Sequence, residues 1–370
     1  MGHVCWKLIT AALAMGLALA AATPAAVAQK VSFEDPKDDD NGPGAYTYPT
    51  DPVYKPGSFD MTAFTLKAHG DKVDLDVEMA AKLEDPWKTG SGFSLQMVFV
   101  FIQTSPAKPP AGGKAGDGKA GGKKKGGKAD SGKADSGKAA AAEPQPGAAA
   151  PAPAETDKAE TDKAAGKKSA STMTPEEKAA ARKAARAKAA AERATTAKKH
   201  GFTQGLPGLQ VQFAPADGWD RCIILSPEPA ARVRAEVEAK APAMKDAIVI
   251  PARVKGSGHA ISATIDRKAL GPGDPTDWGY QVVIASSDPY PAADSLLVRK
   301  VTETESQHRF GGGSDGDCAP NVLDLLAGDG DGEADEVGQQ HEMLQYECNP
   351  DHTPKTLATL TMVRVDKDED

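Results

Sequence analysis

A stretch of 96 residues without large apolar side chains divides this chain. From 105 to 200 the sequence contains no Phe, Trp, Tyr, Ile, Leu or Val, and consists mainly of Ala, Gly, Lys, Pro and Ser. Burial of such residues cannot offset the conformational entropy lost on folding, so we expect this insertion to be disordered. A folded domain must then be built from the sequences on its two sides, 29–104 and 201–370.

One part of the insertion carries helix signals. Thr174 is a capping residue type, Pro175 suits the first helical position, and Glu177 suits the third. Residues rich in Ala, Lys and Arg follow to about 197. We expect a solvent-exposed, partly formed helix over 175–197, with no apolar stripe for a coiled coil or a membrane surface.

The first 28 residues have the pattern of a secretory signal. Lys7 precedes an apolar run, Leu8–Ala22, and small residues at Ala26–Ala28 precede Gln29. The run is too short and too rich in alanine for a membrane span, and no other stretch has the roughly 20 apolar residues that a spanning helix requires. The sequence predicts export to a periplasm, the cell surface or the medium.

Three cysteines remain after the signal. Cys318 and Cys348 lie in irregular sequence, whereas Cys222 lies in an apolar, strand-like run. In an oxidising compartment we therefore predict a disulfide between Cys318 and Cys348 and a buried thiol at Cys222. A zinc site that combines the three with His341 matches no known spacing of zinc ligands.

Short strands separated by Gly, Pro and Asp predict an all-β fold, an antiparallel β-sandwich of the Ig-like type. Period-two alternation on both sides of His69-Gly70-Asp71 indicates a hairpin within 60–80, and the apolar run Phe93–Thr104 indicates a central strand. Further predicted strands are Leu209–Phe213, Arg221–Leu225, Arg232–Val237, Ile248–Val254, Ala260–Ile265, Trp278–Ile284, Leu297–Val301 and Leu357–Val365. Helix is predicted only near Asn321–Leu326 and Glu336–Tyr346.

The insertion and the remainder of the chain have opposite charges. The insertion carries 21 Lys and Arg against 11 Asp and Glu, a net charge of +10, and the remainder carries 23 against 41, a net charge of −18. A basic loop of this kind can fold back on the acidic body or bind an anionic envelope polymer, phospholipid or nucleic acid. The simpler alternative is a solubilising tether. No aromatic side chain lies among the lysines to stack on bases, which disfavours specific nucleic-acid binding.

The segment 33–60 is rich in acidic residues and proline. Its carboxylates repel one another unless a cation lies among them, and ligands made only of oxygen favour calcium. We therefore predict calcium ligands at Asp35, Asp38, Asp39 and Asp40. The alternative is a solvated acidic turn, since the EF-hand pattern is incomplete. A second run, 328–336, alternates like a calcium loop, but Gln340 stands where the bidentate acid belongs.

Motifs of catalysis are scarce. The chain contains no G-x-S-x-G, no H-E-x-x-H and no phosphate-binding loop, and its histidines are scattered. The aspartate pairs Asp217 and Asp220, or Asp274 and Asp277, could serve glycoside hydrolysis, but such pairs beside Gly and Trp are commonly turn caps. We predict that the chain is not an enzyme.

Binding of carbohydrate needs exposed aromatic rings, because the apolar faces of sugars stack on them. The candidates for ligand binding are Tyr46, Tyr48, Trp87 and Tyr290. Trp87 beside Pro86 and Tyr290 between two prolines lie in turns and are expected to be exposed. Trp219 and Trp278 are followed by strand-like sequence and are predicted to lie in the core.

Several blocks of the sequence resemble one known family. They are DPKDDDNGPGAYTYPT (35–50) with Phe59-Asp60, Asp85-Pro86-Trp87, Gly92-Phe93-Ser94, Gly218-Trp219-Asp220 and RFGGGSDGDCAPNVLDLL (309–326). In this order they are similar to the C-terminal binding module, S-layer-homology-like and DOMON-like, of glucodextranase and related amylolytic enzymes. The resemblance covers nearly all of the chain after the signal except the insertion.

The resemblance implies a non-catalytic β-sandwich that binds carbohydrate, an α-glucan or a cell-surface polysaccharide, or attaches a protein to a surface. Here we expect the module to follow a signal sequence without a hydrolase domain, which departs from the family's role of supporting a parent enzyme. The alternative function is that of an envelope structural or interaction protein whose basic loop binds an anionic surface polymer.

Overall fold

The computed structural model describes residues 29–104, 174 and 201–365. Apart from Thr174, all of these residues belong to one compact unit. The predicted signal sequence, 1–28, and the insertion with its predicted helix, 175–197, lie outside the described residues. In the described part, no helix combines the length and the hydrophobicity that crossing a bilayer would require.

Five antiparallel strands form the first sheet. Their spatial order is β1 (Gln29–Glu34), β2 (Met61–His69), β3 (Lys72–Met79), β9 (Ala260–Asp266) and β8 (Val254–Ser257). Burial alternates along β3, where Val73, Leu75 and Val77 face inward and Asp74 and Asp76 face outward. The predicted hairpin is therefore confirmed, with β2 and β3 paired across the turn at Gly70.

The second sheet contains the central strands of the molecule. Its order is β11 (Asp324–Leu325), β10 (Gly279–Ser286), β4 (Gln96–Gln103), β6 (Arg221–Leu225) and β7 (Ile248–Val249), and β15 (Val363–Arg364) also pairs with β10. Every residue of β4 and β10 is buried, because both faces of this sheet are covered. Burial on both faces explains why the sequence of β4 reads as a continuous apolar run.

Two hydrophobic cores result from this arrangement. The first lies between the sheets and includes Phe64 and Trp278. The second lies on the other face of the second sheet, where Phe101, Trp219 and the free thiol of Cys222 form one cluster with the buried valines of the helix α1 (Ala230–Lys240). The predicted burial of both tryptophans is confirmed, since neither is exposed. The architecture is the all-β sandwich that the sequence predicts, with one sheet covered on its second face.

Short elements complete the fold. Strand β5 (Val211–Phe213) pairs in parallel with β14 (Ala358–Leu360), and β12 (Glu347–Cys348) pairs with β13 (Pro354–Thr356). A second helix, α2 (Asp335–Met343), agrees with the helix predicted near 336–346. Cys318 and Cys348 form a disulfide with their Cα atoms 5.6 Å apart.

Three predicted elements are wrong, and two further predicted strands are each divided between two sheets. The segment 248–254 contains β7 and the start of β8, and the segment 357–365 contains β14 and β15. The predicted strand at 232–237 is part of α1, because Val233 and Val237 are buried on one face at a helical spacing of four. The predicted helix at 321–326 is instead extended and contains β11, whose residues pair with β10. The predicted strand at 297–301 is irregular apart from a single bridge between Val298 and Ser287.

The strand register brings three loops to one end of the second sheet. Gln96, at the start of β4, pairs with Ser286 at the end of β10, and Val98 pairs with Leu225 at the end of β6. We call this the upper end. The loops 80–95, 226–229 and 287–298 all lie there because the strands are antiparallel.

Candidate functional site

A cluster of buried aspartates lies between the sheets near the upper end. Asp35 follows β1, Asp39 lies in the next loop, and Asp324 lies in β11, so that pairing of β11 with β10 brings a C-terminal residue to the N-terminal segment. One carboxylate oxygen from each of the three lies within 4.8 Å of the others. Their exposed fractions are only 5, 1 and 0 %.

Several oxygens of this cluster have no hydrogen-bond partner among the described residues. They are both carboxylate oxygens of Asp35, Oδ1 of Asp39 and Oδ1 of Asp60, the residue that precedes β2. Asp324 differs, because its carboxylate accepts the backbone N–H groups of Met61 at 2.6 Å and Leu325 at 2.7 Å. A buried polar atom without a partner costs free energy, so these oxygens require an explanation.

The electrostatics of the cluster disfavour the charged carboxylates. Burial and the charges of neighbouring acids raise the pKa of Asp35 and of Asp324 well above the ordinary value. The same two causes, burial first, raise the pKa of Asp39 to about 7 and that of Asp60 to about 6. The charged form of each of these aspartates is therefore unfavourable unless a positive charge nearby compensates for it.

Helix α2 holds the loops around the cluster. Glu336, which is fully buried, accepts the backbone N–H groups of Asp329 and Gly330 at 2.8 Å and of Gly332 at 3.0 Å. Gln340 donates to the carbonyl of Asp39 and accepts the N–H of Leu325. The residue that interrupts the calcium-loop pattern in the sequence is thus a bridge between the two halves of the cluster.

The structure assembles a different set of acids from the one predicted. Asp35 and Asp39 lie in the cluster as expected. Asp38 is exposed, with φ at 66°, and its N–H is bound by Asp60 at 2.8 Å. Asp40 is not among the three aspartates whose oxygens lie within 4.8 Å of one another, and it accepts the hydroxyl of Tyr48.

Asp60 and Asp324 were missed by sequence reasoning because they lie far from the acidic run. Both nevertheless occur in blocks that carry the family resemblance, Phe59-Asp60 and NVLDLL (321–326). Those blocks were the available signal.

Two of the predicted aromatic platforms are not free surfaces. Tyr46 is only 6 % exposed, and its hydroxyl donates to the carbonyl of Pro320 at 2.6 Å. Tyr48 is half-buried, packs against the ring of Phe310 and donates to Asp40. Both rings hold the acidic segment in place, so the burial of Tyr46 and the contacts of Tyr48 disfavour the role in ligand binding that the sequence predicts for them.

The other two predicted platforms are exposed. Trp87 is 41 % exposed and Tyr290 is 90 % exposed. Trp87 lies in the loop before β4 and Tyr290 in the loop after β10, so the two residues are both at the upper end.

Hydrogen bonds and packing fix the loop of Trp87. Asp85 accepts the N–H groups of Thr89 and Gly90 at 2.9 Å, and the N–H of Trp87 donates to Ser94 at 3.3 Å. The Trp87 ring meets His308 edge to face, with centroids 5.5 Å apart. The indole is therefore presented from a defined turn.

A small cleft opens at the same end. It has a volume of about 180 Å³ and is lined by Ser91 of the Trp87 loop, Glu228 after β6 and Arg253. Glu228 is bound to Arg232 at 2.9 Å, and Arg232 also donates to the carbonyl of Pro289, beside Tyr290. These contacts connect the cleft to the loop that carries Tyr290.

The aspartates considered for hydrolysis serve local structure. Asp220 accepts the N–H and the hydroxyl of Thr104, both at 2.9 Å. Asp274 accepts the N–H and hydroxyl of Thr276 at 3.0 and 2.8 Å, as a turn cap does. Asp274 thus caps a turn as predicted, whereas Asp220 instead joins the start of β6 to the residue that follows β4.

A family model described as the C-terminal binding module, SLH-like, of glucodextranase matches residues 31–120 and 193–363. The matched ranges include the four clustered aspartates, Trp87 and Tyr290, and together they cover more than half of the chain. No curated protein matches the chain. On this match the chain belongs to the family of SLH-like C-terminal binding modules of glucodextranase.

Proposed function

We propose that this protein is an exported, non-catalytic module that binds carbohydrate through Trp87 and Tyr290. The observation that carries the proposal is their exposure at one end of the sandwich, on loops whose strands are neighbours in the sheet. Among the described residues, these two are the exposed large hydrophobic side chains. The family supports binding in general, and the carbohydrate ligand is our inference.

The chemistry of the upper end suits a sugar. The apolar face of a pyranose stacks on an indole or phenol ring, while its hydroxyls need polar partners nearby. Ser91, Glu228 and Arg253 line the cleft at this end and supply both donors and acceptors. We infer that the ligand is an α-glucan or a cell-surface polysaccharide.

Export is inferred from the sequence together with the disulfide. The signal pattern at 1–28 directs secretion, and the Cys318–Cys348 disulfide is of the kind that persists in an oxidising compartment. The family's likeness to S-layer-homology modules agrees with a location at the cell surface or outside the cell.

Affinity electrophoresis in gels containing soluble starch, dextran or envelope polysaccharide tests the carbohydrate proposal. Trp87→Ala and Tyr290→Ala should each weaken retention by about tenfold, or about 1.4 kcal/mol, because each removes one stacking face. Trp87→Phe should retain part of the binding. His69→Ala removes an exposed ring from the opposite end of the first sheet and serves as the control.

Retention of the wild type on none of these polysaccharides would overturn the proposal. Equal retention of the wild type and of both alanine variants would remove the role of Trp87 and Tyr290.

A second candidate function is an envelope interaction through the basic insertion. The opposite charges of the insertion, +10, and the remaining chain, −18, favour it. Deletion of 105–199 distinguishes the two functions. A carbohydrate module keeps its retention on polysaccharide after the deletion, whereas an envelope interaction protein loses its attachment to anionic cell surfaces.

A further inference from the structure

We propose that Asp35, Asp39 and Asp324 bind one calcium ion, with Asp60 beside it. This site differs from the one expected from the acidic run, since Asp38 and Asp40 are not ligands and a residue from the C-terminal part of the chain is. It is also independent of the carbohydrate proposal, because it concerns the interior of the sandwich.

The first argument for a single calcium ion is the spacing of the carboxylate oxygens. Oxygens bound to one calcium ion lie about 2.4 Å from it, so two of them can be at most about 4.8 Å apart. The carboxylate oxygens of Asp35, Asp39 and Asp324 lie within 4.8 Å of one another. The three oxygens therefore meet this distance requirement for one shared ion.

The second argument is that several of these buried oxygens lack hydrogen-bond partners. Asp35 is 95 % buried, and neither of its carboxylate oxygens has a hydrogen-bond partner in the described part of the chain. Oδ1 of Asp39 and Oδ1 of Asp60 also lack a hydrogen-bond partner among the described residues, and both residues are 99 % buried. A solvated acidic turn would leave such oxygens facing water, which these do not.

The donor set selects the ion. The side-chain donors are all carboxylate oxygens, which favour a hard cation over zinc or copper. Magnesium sheds its water reluctantly and needs near-ideal octahedral geometry, whereas calcium accepts six to eight oxygens in irregular arrangements. A closed, buried group of carboxylates from three chain segments therefore fits calcium better.

The surrounding structure is compatible with a permanent ion. Gln340 fixes the backbone at Asp39 and at Leu325, and the N–H groups of Met61 and Leu325 fix the carboxylate of Asp324. The acids are thus held in position by second contacts, as metal ligands usually are. The ion would join the N-terminal segment to β11.

Isothermal titration and thermal melting of the full exported protein, after treatment with EGTA and a chelating resin, test the site without any carbohydrate. Calcium should bind at one ion per chain, and magnesium should bind at least tenfold more weakly. Asp35→Asn should reduce calcium affinity by roughly 100-fold or more, since even partners of metal ligands change affinity by 10–100-fold. Asp39→Asn is a second variant with the same expected result.

Asp38→Asn is the matched control, because it neutralises an exposed acid in the same loop and should bind calcium as the wild type does. The melting temperatures in EGTA separate a ligand from a merely structural residue. Asp35→Asn removes one charge from a repelling cluster, so in EGTA it should melt no lower than the wild type, and calcium should not raise its melting temperature.

Three results would overturn the proposal. The wild type could fail to bind calcium at millimolar concentrations, the Asp35 and Asp39 variants could bind it as the wild type does, or Asp38→Asn could abolish binding.

Discussion

The outer face of the first sheet and the interior near the upper end both gather aspartates, in opposite surroundings. On the outer face, Asp76 accepts the hydroxyl of Ser262 at 2.6 Å and Asp74 that of Thr264 at 2.7 Å, with water available to both carboxylates. In the interior, Asp35 has the same side chain but is buried from solvent, and its carboxylate has no hydrogen-bond partner in the described structure. The outer carboxylates are stabilised by hydroxyl donors and solvent, whereas the inner ones need a counter-charge.

Glu336 offers the strongest test of this comparison, because it is buried and yet fully satisfied. Glu336→Ala removes the side-chain acceptor of three backbone N–H groups, of which that of Gly330 keeps a second acceptor, the carbonyl of Ala327 at 3.2 Å. We therefore expect the free energy of unfolding to fall by about 3 kcal/mol. Urea denaturation measures the change. Glu336→Gln, which keeps an acceptor for Asp329 and Gly330, should lose clearly less. A loss below about 1 kcal/mol in the alanine variant would show that the hydrogen bonds of Glu336 contribute little to the stability of the loop.

Removal of calcium should have the next largest effect. At a calcium concentration 100 times the dissociation constant, binding stabilises the folded state by about 2.7 kcal/mol. For a body of this size we expect EGTA to lower the melting temperature by roughly 5–10 °C. Differential scanning calorimetry measures the shift, with magnesium added to control for ionic strength. Identical melting curves with and without calcium would mean that the inner and outer acids do not differ in their need for a cation.

Tyr48→Phe probes a buried acid whose partner is a neutral hydroxyl. Asp40 accepts the hydroxyl of Tyr48, and loss of one hydrogen bond to a charged group should cost about 1.5–3 kcal/mol. Chemical denaturation in saturating calcium measures it. Calcium affinity should change little, because Asp40 is not one of the three aspartates whose oxygens lie within 4.8 Å of one another. A loss of calcium affinity comparable to that of Asp35→Asn would instead place Asp40 among the ligands.

Asp76→Asn should have the smallest effect. The side chain lies on the outer face and an amide can still accept the Ser262 hydroxyl, so we expect a change within about 0.5 kcal/mol. Thermal melts with and without calcium measure it, and the difference between the two conditions should equal that of the wild type. A calcium-dependent effect of this variant would contradict the distinction between the two groups of acids.

Local patterns were sufficient for much of the fold and for part of the site. Alternation along 64–77 predicted the β2–β3 hairpin, and the apolar run before Thr104 predicted the central strand β4. Turn residues beside Trp87 and Tyr290 predicted their exposure. In each of these cases the deciding interaction lies within a few residues along the chain.

Other predictions from the sequence were wrong for an identifiable reason. The segment 232–237 alternates like a strand, yet its two valines also have helical spacing, and packing on the second sheet favours the helix. Tyr46 looks like an exposed ring in a proline-rich loop, but it lies against Pro320, 274 residues away. Periodicity and turn chemistry contain no information about such distant partners.

By itself, the sequence determined the sandwich class, the interruption at 105–200 by composition, and the family to which the chain belongs. Only the tertiary structure decided which acids meet, because β11 pairs with β10 and its Asp324 lies beside Asp35 and Asp39, nearly 300 residues earlier in the chain. The physical reason is that burial and charge act through space. A run of acidic residues in the sequence indicates charge repulsion, but only the fold determines which carboxylates lie close enough to repel one another.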